Sequence, residues 1–283
     1  MKANIKTIIN PPEISKFQDI HITNFCQLNC KHCYLSPKNT AHMSLKTFIG
    51  VIEDFKETKH PIPNTNVILS GGEPLTHPDF PYFLNYLRSQ KIPLMMSSNG
   101  ILIPHYIHLF QPNDGIQISI DGDNDTHNYI RGEDVFANAE NALYMLKKNK
   151  INHSITMAVS QENAHTIDTV IKLCKDTDTK TLNLTPFQPH PTTKLTPLKY
   201  DNWLKINQKV RAENKTLHIP KTCIQSGCIA GILGYSILPD GTYWDCSRNQ
   251  KIIGHYPQKI KDCLSWQHIE KHKSIDPLIT CCK

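Results

Sequence analysis

No apolar run in this 283-residue chain approaches the roughly eighteen residues that would span a bilayer, so no membrane partner is expected. The opening stretch, MKANIKTIINPPE, lacks an extended apolar core and a small-residue cleavage site. That argues against a secretory signal and makes a reducing cytoplasm the expected compartment. Lysine and arginine total 31 against 25 acidic residues, but they form no basic block, so nucleic acid is not an expected partner either. There is no internal repeat. With 39% hydrophobic residues, the composition is that of a globular chain long enough for one large domain plus an appendage.

Cysteine, by contrast, is abundant: there are 10. In a reducing compartment, clustered cysteines point to metal or catalytic sites rather than disulfides. Three lie within ITNFCQLNCKHCYLSP, at Cys26, Cys30 and Cys33, and six more at 223, 228, 246, 263, 281 and 282. Cys174 stands alone in DTVIKLCKD and reads as core packing. A cubane iron–sulfur cluster usually takes four thiolates. Three from one loop would leave one iron open to a ligand. The competing reading is a zinc site completed by His21, His32 or His42.

Hydrophobic period and punctuation alternate regularly along the chain. Strand-like runs occur at 17–25, 64–70, 92–98, 115–120, 152–159 and 180–187. Helix-like stretches follow Ser44 and Pro78, then a short turn near 104–110, then further helices in DVFANAENALYMLKKN, in NAHTIDTVIKLCKD and over 198–213. Six βα units running one way predict an α/β fold with a parallel sheet. Six are too few for a closed eight-unit barrel, so a partial (β/α)6 TIM-like barrel is expected, with an open doubly wound sheet as the alternative. In either, chemistry belongs at the carboxyl ends of the strands, where Cys26, Gly71-Gly72-Glu73, Asn99-Gly100 and Asp121-Gly122 fall. Residues 185–197, rich in proline and threonine, read as a linker loop. Near residue 220 the alternation stops, which divides the chain into a core domain (1–220) and a C-terminal extension (221–283).

The C-x3-C-x2-C of CQLNCKHCY, placed after a first strand, resembles the signature of the radical S-adenosylmethionine (radical SAM) superfamily. The resemblance implies a [4Fe-4S] cluster on Cys26, Cys30 and Cys33 whose open iron chelates S-adenosylmethionine. It also implies an external one-electron reductant of flavodoxin or ferredoxin type, and a 5′-deoxyadenosyl radical that abstracts hydrogen from substrate. In ILSGGEPL, Gly71, Gly72 and Glu73 occupy the family's place for contacting the methionine amino group. Ser98, Asn99, Ser119 and Asp121 are expected at the ribose hydroxyls or the methionine carboxylate. The run SIDGDNDTHNYIRGEDVF resembles a stretch of peptide- and protein-modifying members, with His127 and Arg131 in the H-x3-RG places and Arg131 as a carboxylate clamp. His32 takes a position near the adenine. The family's glycine-rich fifth-strand motif is absent, and Met157 and Val159 are expected to back the adenine instead.

In the tail, CIAGILGYSILPDGTYWDC reads as a β-hairpin turning at Pro-Asp-Gly, with Cys228 and Cys246 at its ends. Its C-x12-G-x4-C pattern resembles the auxiliary iron–sulfur extensions called SPASM (two clusters) and twitch (one). The two-cluster C-x2-C-x5-C-x3-C run is missing, so one auxiliary [4Fe-4S] cluster is expected. Cys228 and Cys246 would be ligands, with Cys281 or Cys282 as the third. The fourth stays open among Cys223, Cys263, the other terminal cysteine and the substrate. A zinc ribbon is the alternative for this tail. The expected activity is hydrogen abstraction from a peptide or protein, leading to crosslinking, epimerisation (with Cys223 as a hydrogen donor) or oxidation. The alternatives are dehydrogenation of a small molecule such as a sugar or aminocyclitol, or a zinc-binding or electron-carrying protein without a reaction of its own.

Overall fold

The computed structural model describes residues 16–35, 39–57, 65–221 and 234–263. Cys223, Cys228, Cys281 and Cys282 lie outside the described residues. All six expected strands form: β1 (Lys16–Thr23), β2 (Thr65–Gly71), β3 (Met95–Ser98), β4 (Gly115–Ser119), β5 (Asn152–Val159) and β6 (Leu182–Pro186). Each pairs in parallel with the next. The crossovers carry α1 (Leu45–Glu57), α2 (Phe80–Ser89), a short α3 (Ile103–Tyr106), α4 (Asn124–Arg131), α5 (Val135–Lys148) and α6 (Ile167–Asp176). After β6 comes α7 (Tyr200–Glu213).

Strand order shows how the extension joins. β7 (Gly234–Ile237) runs parallel to β1 on the side away from β2, and β8 (Thr242–Trp244) and β9 (Ile252–His255) follow antiparallel. The nine strands make one sheet, β6-β5-β4-β3-β2-β1-β7-β8-β9, which does not close. The expected hairpin is therefore the β7–β8 pair. It turns at Asp240-Gly241, where Gly241 takes φ 93° and Asp240 accepts a hydrogen bond from the Thr242 amide at 2.9 Å. A last helical turn, α8 (Ile260–Cys263), carries the buried Cys263.

The strands have two unlike faces. Ile20 and Ile22, Val67 and Leu69, Ile116 and Ile118, Ile155, Met157 and Val159, and Leu182 and Leu184 are all buried in one apolar layer. Beneath the helices they meet residues such as Phe48, Phe83, Leu143 and Val170. Each such side chain contributes about 1.5–3 kcal/mol when fully buried. Cys174 is part of this core, and burial pushes its thiol up to about 12. The alternate positions face the other way and are small or polar: Ser70, Ser97, Gln117, Ser119, Thr156, Ala158, Asn183 and Thr185, with Ile68 and Met95 as the larger apolar members. A closed eight-stranded barrel normally fills its interior with bulky branched side chains. This chain leaves room there.

Ser44 caps α1 as expected, its hydroxyl accepting from the Thr47 amide at 3.0 Å. α4 is not among the expected helices. Asp123 starts it by accepting from the Thr126 amide at 3.0 Å, and Gly132 ends it at φ 130°. Both are ordinary cap signals.

Candidate functional site

The cysteine loop is clamped from two sides. Where β1 ends, the carbonyls of Thr23 and Phe25 accept from the amides of Gly72 (2.8 Å) and Glu73 (2.9 Å), so the exits of β1 and β2 run together. A Cβ at Gly71 would run into the Thr23 carbonyl oxygen, and one at Gly72 into that of Phe25. Only glycine permits this approach, and Gly71 also takes φ 118°. On the other side the Lys31 amide donates to the Ile130 carbonyl (2.8 Å), and the Lys31 carbonyl accepts from the Lys194 amide (2.7 Å). The stretch expected to be a linker thus closes on the cysteine loop. Within the loop the amide of Leu28 (3.4 Å) and the side-chain amide of Asn99 (3.8 Å) donate to Cys26 Sγ, and the Cys30 thiol donates to the Arg131 carbonyl (3.9 Å).

Cys26, Cys30 and Cys33 line one cavity of about 340 Å³ with Gly71, Gly72, Ser98, Asn99, Ser119 and Arg131. His32 lines it too. Most of the residues expected to hold cluster and cofactor are thus brought together around one space. Glu73 and Asp121 lie just behind its wall.

Glu73 is 1% exposed and its carboxylate faces the protein. It accepts from the Ser98 hydroxyl (2.9 Å) and from the amides of Asn99 (2.8 Å) and Leu75 (3.3 Å). The motif therefore braces β2 against β3. Burial raises its carboxyl to about 7 despite these donors. A carboxyl whose folded pKa is raised contributes relative stability that is complete below its unfolded value, near 4.5, and lost as pH climbs through about 7. Urea unfolding of the metal-free protein at pH 5 and pH 8.5 should show a loss on the order of 3 kcal/mol from this group. Glu73→Gln should flatten that dependence; an unchanged slope would show that the carboxylate is not desolvated.

Asp121 is fully buried at the centre of a second polar group. Its carboxylate accepts from Arg131 Nε at 2.6 Å and from the Ala158 amide at 3.0 Å, with His32 Nε2 at 3.5 Å. Burial would raise its pKa, but Arg131, His32, His127 and the Ala158 amide outweigh that and hold it below the usual range. His127 accepts from the Asp121 amide through Nδ1 at 3.1 Å, which leaves the proton on Nε2. Burial, then the Arg131 charge, push its pKa down to about 3. His127 is a neutral structural partner, and Arg131 reaches the cavity from a fixed base.

Met157 and Val159 are not beside the cavity. They belong to the apolar layer under the helices, because β5 alternates and its inward positions are Thr156 and Ala158. The histidines weighed as zinc ligands have other partners: His21 bonds Asp19 (3.0 Å), His32 faces Asp121, and the rings of His42 and His77 stack edge-on at 4.9 Å. Among the described residues no three His, Cys, Asp or Glu side chains converge tightly enough for a single metal ion. A cubane does not ask for that, since each thiolate takes a separate iron corner. Three half-buried thiols on one loop, lining one cavity and with Arg131 as a cationic neighbour, fit such a cluster. Without metal, burial pushes the Cys30 thiol up to about 11 against the pull of Arg131, so loading must displace its proton.

The extension reaches this site. The Tyr34 hydroxyl, next to Cys33, is hydrogen-bonded to Ser247, next to Cys246. Cys246 Sγ accepts from the Asn249 amide at 3.2 Å. Asp19, inside β1, lines the cavity but is not among the residues expected there. Its signal was chemical: aspartate and histidine two apart within a strand buried on both sides, where a parallel sheet normally carries only apolar residues.

Comparison with known proteins places these features. The family model described as the Radical SAM superfamily matches residues 20–174. The chain is 29% identical over 167 residues to the AdoMet-dependent heme synthase of Nitratidesulfovibrio vulgaris, covering 54% of this chain and 43% of that protein. It is 25% identical over 229 residues to the mycofactocin maturase MftC of Mycobacterium ulcerans, covering 75% of this chain and 60% of the maturase. The fold resembles Streptococcus suis SuiB bound to S-adenosylmethionine, with a TM-score of 0.77 at 14% identity, covering 93% of this chain and 68% of that one. The chain thus spans only about half the length of the curated relatives it matches.

Proposed function

The chain belongs to the radical SAM superfamily, and from that membership we propose that it takes a hydrogen atom from a peptide or protein substrate. Cys26, Cys30 and Cys33 would hold the [4Fe-4S] cluster. When bound, cluster and S-adenosylmethionine supply a one-electron C–S cleavage that yields a 5′-deoxyadenosyl radical. The chain's own residues do the positioning. Backbone at Gly71 and Gly72, with Ser98, Asn99 and Ser119, presents hydrogen-bonding groups at the strand ends, and Arg131 offers a cation for a carboxylate. Glu73 and Asp121 keep those groups in place. The loop around Lys194 braces the cysteine loop through the Lys31 carbonyl. The electron comes from a flavodoxin- or ferredoxin-type reductant in a reducing cytoplasm.

We assign the tail to one auxiliary [4Fe-4S] cluster on Cys228 and Cys246, with Cys281 or Cys282 as third ligand. The single observation that favours a peptide is the reach of the maturase match. It takes in 75% of this chain, whereas the heme-synthase match stops at 54%. The hydroxyl and amide side chains of Ser70, Ser97, Gln117 and Ser119 on the cavity wall favour a second reading, oxidation of a sugar or aminocyclitol. Anaerobically reconstituted protein, incubated with reductant, S-adenosylmethionine and peptides encoded beside its gene, should form 5′-deoxyadenosine together with a mass change on one peptide. Turnover of a sugar alcohol with no peptide change would favour the second reading. A colourless zinc protein that forms no 5′-deoxyadenosine would sink both.

A further inference from the structure

Asp19 is a charged side chain of the cavity that the reading above leaves without a task. It lies four residues before the end of β1, level with Ile68 of β2 and Ser236 of β7. The groups assigned to the cofactor sit at the strand ends. At about 3.3 Å per residue, the Asp19 backbone lies roughly 13 Å before the end of β1, and its carboxylate leans up to Ser70, the residue before Gly71, so it faces the cavity just below that rim. Its carboxylate is held by three donors. His21 Nε2 lies at 3.0 Å and the Ser236 hydroxyl at 3.4 Å, and the Ser70 hydroxyl bonds the other oxygen. His21 is fully buried, with Trp244 edge-on to its ring at 6.1 Å, so it cannot swing away. A carboxylate offers about four acceptor positions. Three are taken, and 17% of the side chain remains exposed, at the cavity. Burial would raise its pKa, but His21, Ser70 and Ser236 together hold it below the usual carboxylate range.

We propose that Asp19 anchors the substrate, accepting a hydrogen bond from a hydroxyl or ammonium group that enters the barrel, and that it rejects carboxylates and phosphates. This rests on the functional reading above and narrows its substrate class. The fixed carboxylate attracts a donor at its open position and repels an anion in a partly desolvated space, which is how specificity arises from charge. His21, Ser70 and Ser236 are positioning residues for it.

The test uses probes in matched sets with the reconstituted, S-adenosylmethionine-loaded protein. One set is acetyl-Gly-Xaa-Gly-amide with lysine, serine or glutamate at Xaa. The other is an aminocyclitol against a cyclitol carboxylate. Affinities are measured by calorimetry, and 5′-deoxyadenosine formation is followed in parallel. The donor-bearing members should bind at least about tenfold better than the anionic ones, and the set that responds tells peptide from small molecule. Because preference is a ratio within each protein, it is insensitive to overall losses. Asp19→Asn should bring it close to one. Ser236→Ala, which removes one brace and keeps the charge, should give an intermediate ratio and stands in if Asp19→Asn does not fold. Equal or better binding of the anionic probes, a ratio unchanged in the variants, or no binding by either set would overturn the assignment. Selectivity without 5′-deoxyadenosine would sink the functional reading alone; cleavage without selectivity would sink only the role of Asp19.

Discussion

Asp121→Ala should cost about 3–5 kcal/mol of folding stability, because it leaves the Arg131 guanidinium buried without its partner. Arg131 is only 9% exposed, and its Nε donates to Asp121 at 2.6 Å. The same carboxylate ties β5 to this group through the Ala158 amide. The damage should reach the cysteine loop, since α4 receives the Lys31 amide and the Cys30 thiol at the carbonyls of Ile130 and Arg131. Urea denaturation of the metal-free protein measures the cost. Asp123→Ala at the half-buried N-cap of the same helix sets the scale, with an expected loss of about 1 kcal/mol. Equal losses at the two positions would mean that the Asp121–Arg131 pair is not desolvated.

Cys30→Ala should remove one cluster's share of the iron and visible absorption, leaving that of the auxiliary cluster, and lower S-adenosylmethionine cleavage by at least about 100-fold, above the range expected for an outer-shell change. The control is Cys174→Ala. Its sulfur lies in the apolar core under the helices, so its loss should reduce stability while iron loading and cleavage persist. If cleavage survives Cys30→Ala at its usual rate, the loop does not hold the cluster.

Where periodicity carries the information, the fold was legible. A strand such as GIQIS alternates strictly, NVILS is a short apolar run bounded by polar residues, and the helices between the strands repeat their apolar residues at helical spacing. α4 was not, because NDTHNYIR is mostly polar and rests on its caps and on Asp121 rather than on an apolar stripe. The pairing of β7 with β1 was not legible either, since no local pattern says which edge a late strand will find. At the site, the residue types were readable from motif and strand end, but their directions were not. Glu73 was expected at a ligand and faces Ser98, Asn99 and Leu75 instead; Met157 and Val159 were expected at the adenine and lie on the opposite face. One residue of register decides each case. Asp19 went unassigned for the same reason.

The strand that launches the cysteine loop is an inner strand, flanked by β2 on one side and by β7 on the other. A nascent chain therefore exposes the bare flank of β1 until residues 234–237 have left the ribosome. Open flanks of this kind recruit other chains. Synthesis of β7 is then a condition for safe folding of the strand that carries the cysteine loop, and fragments stopped near residue 220 are expected to aggregate.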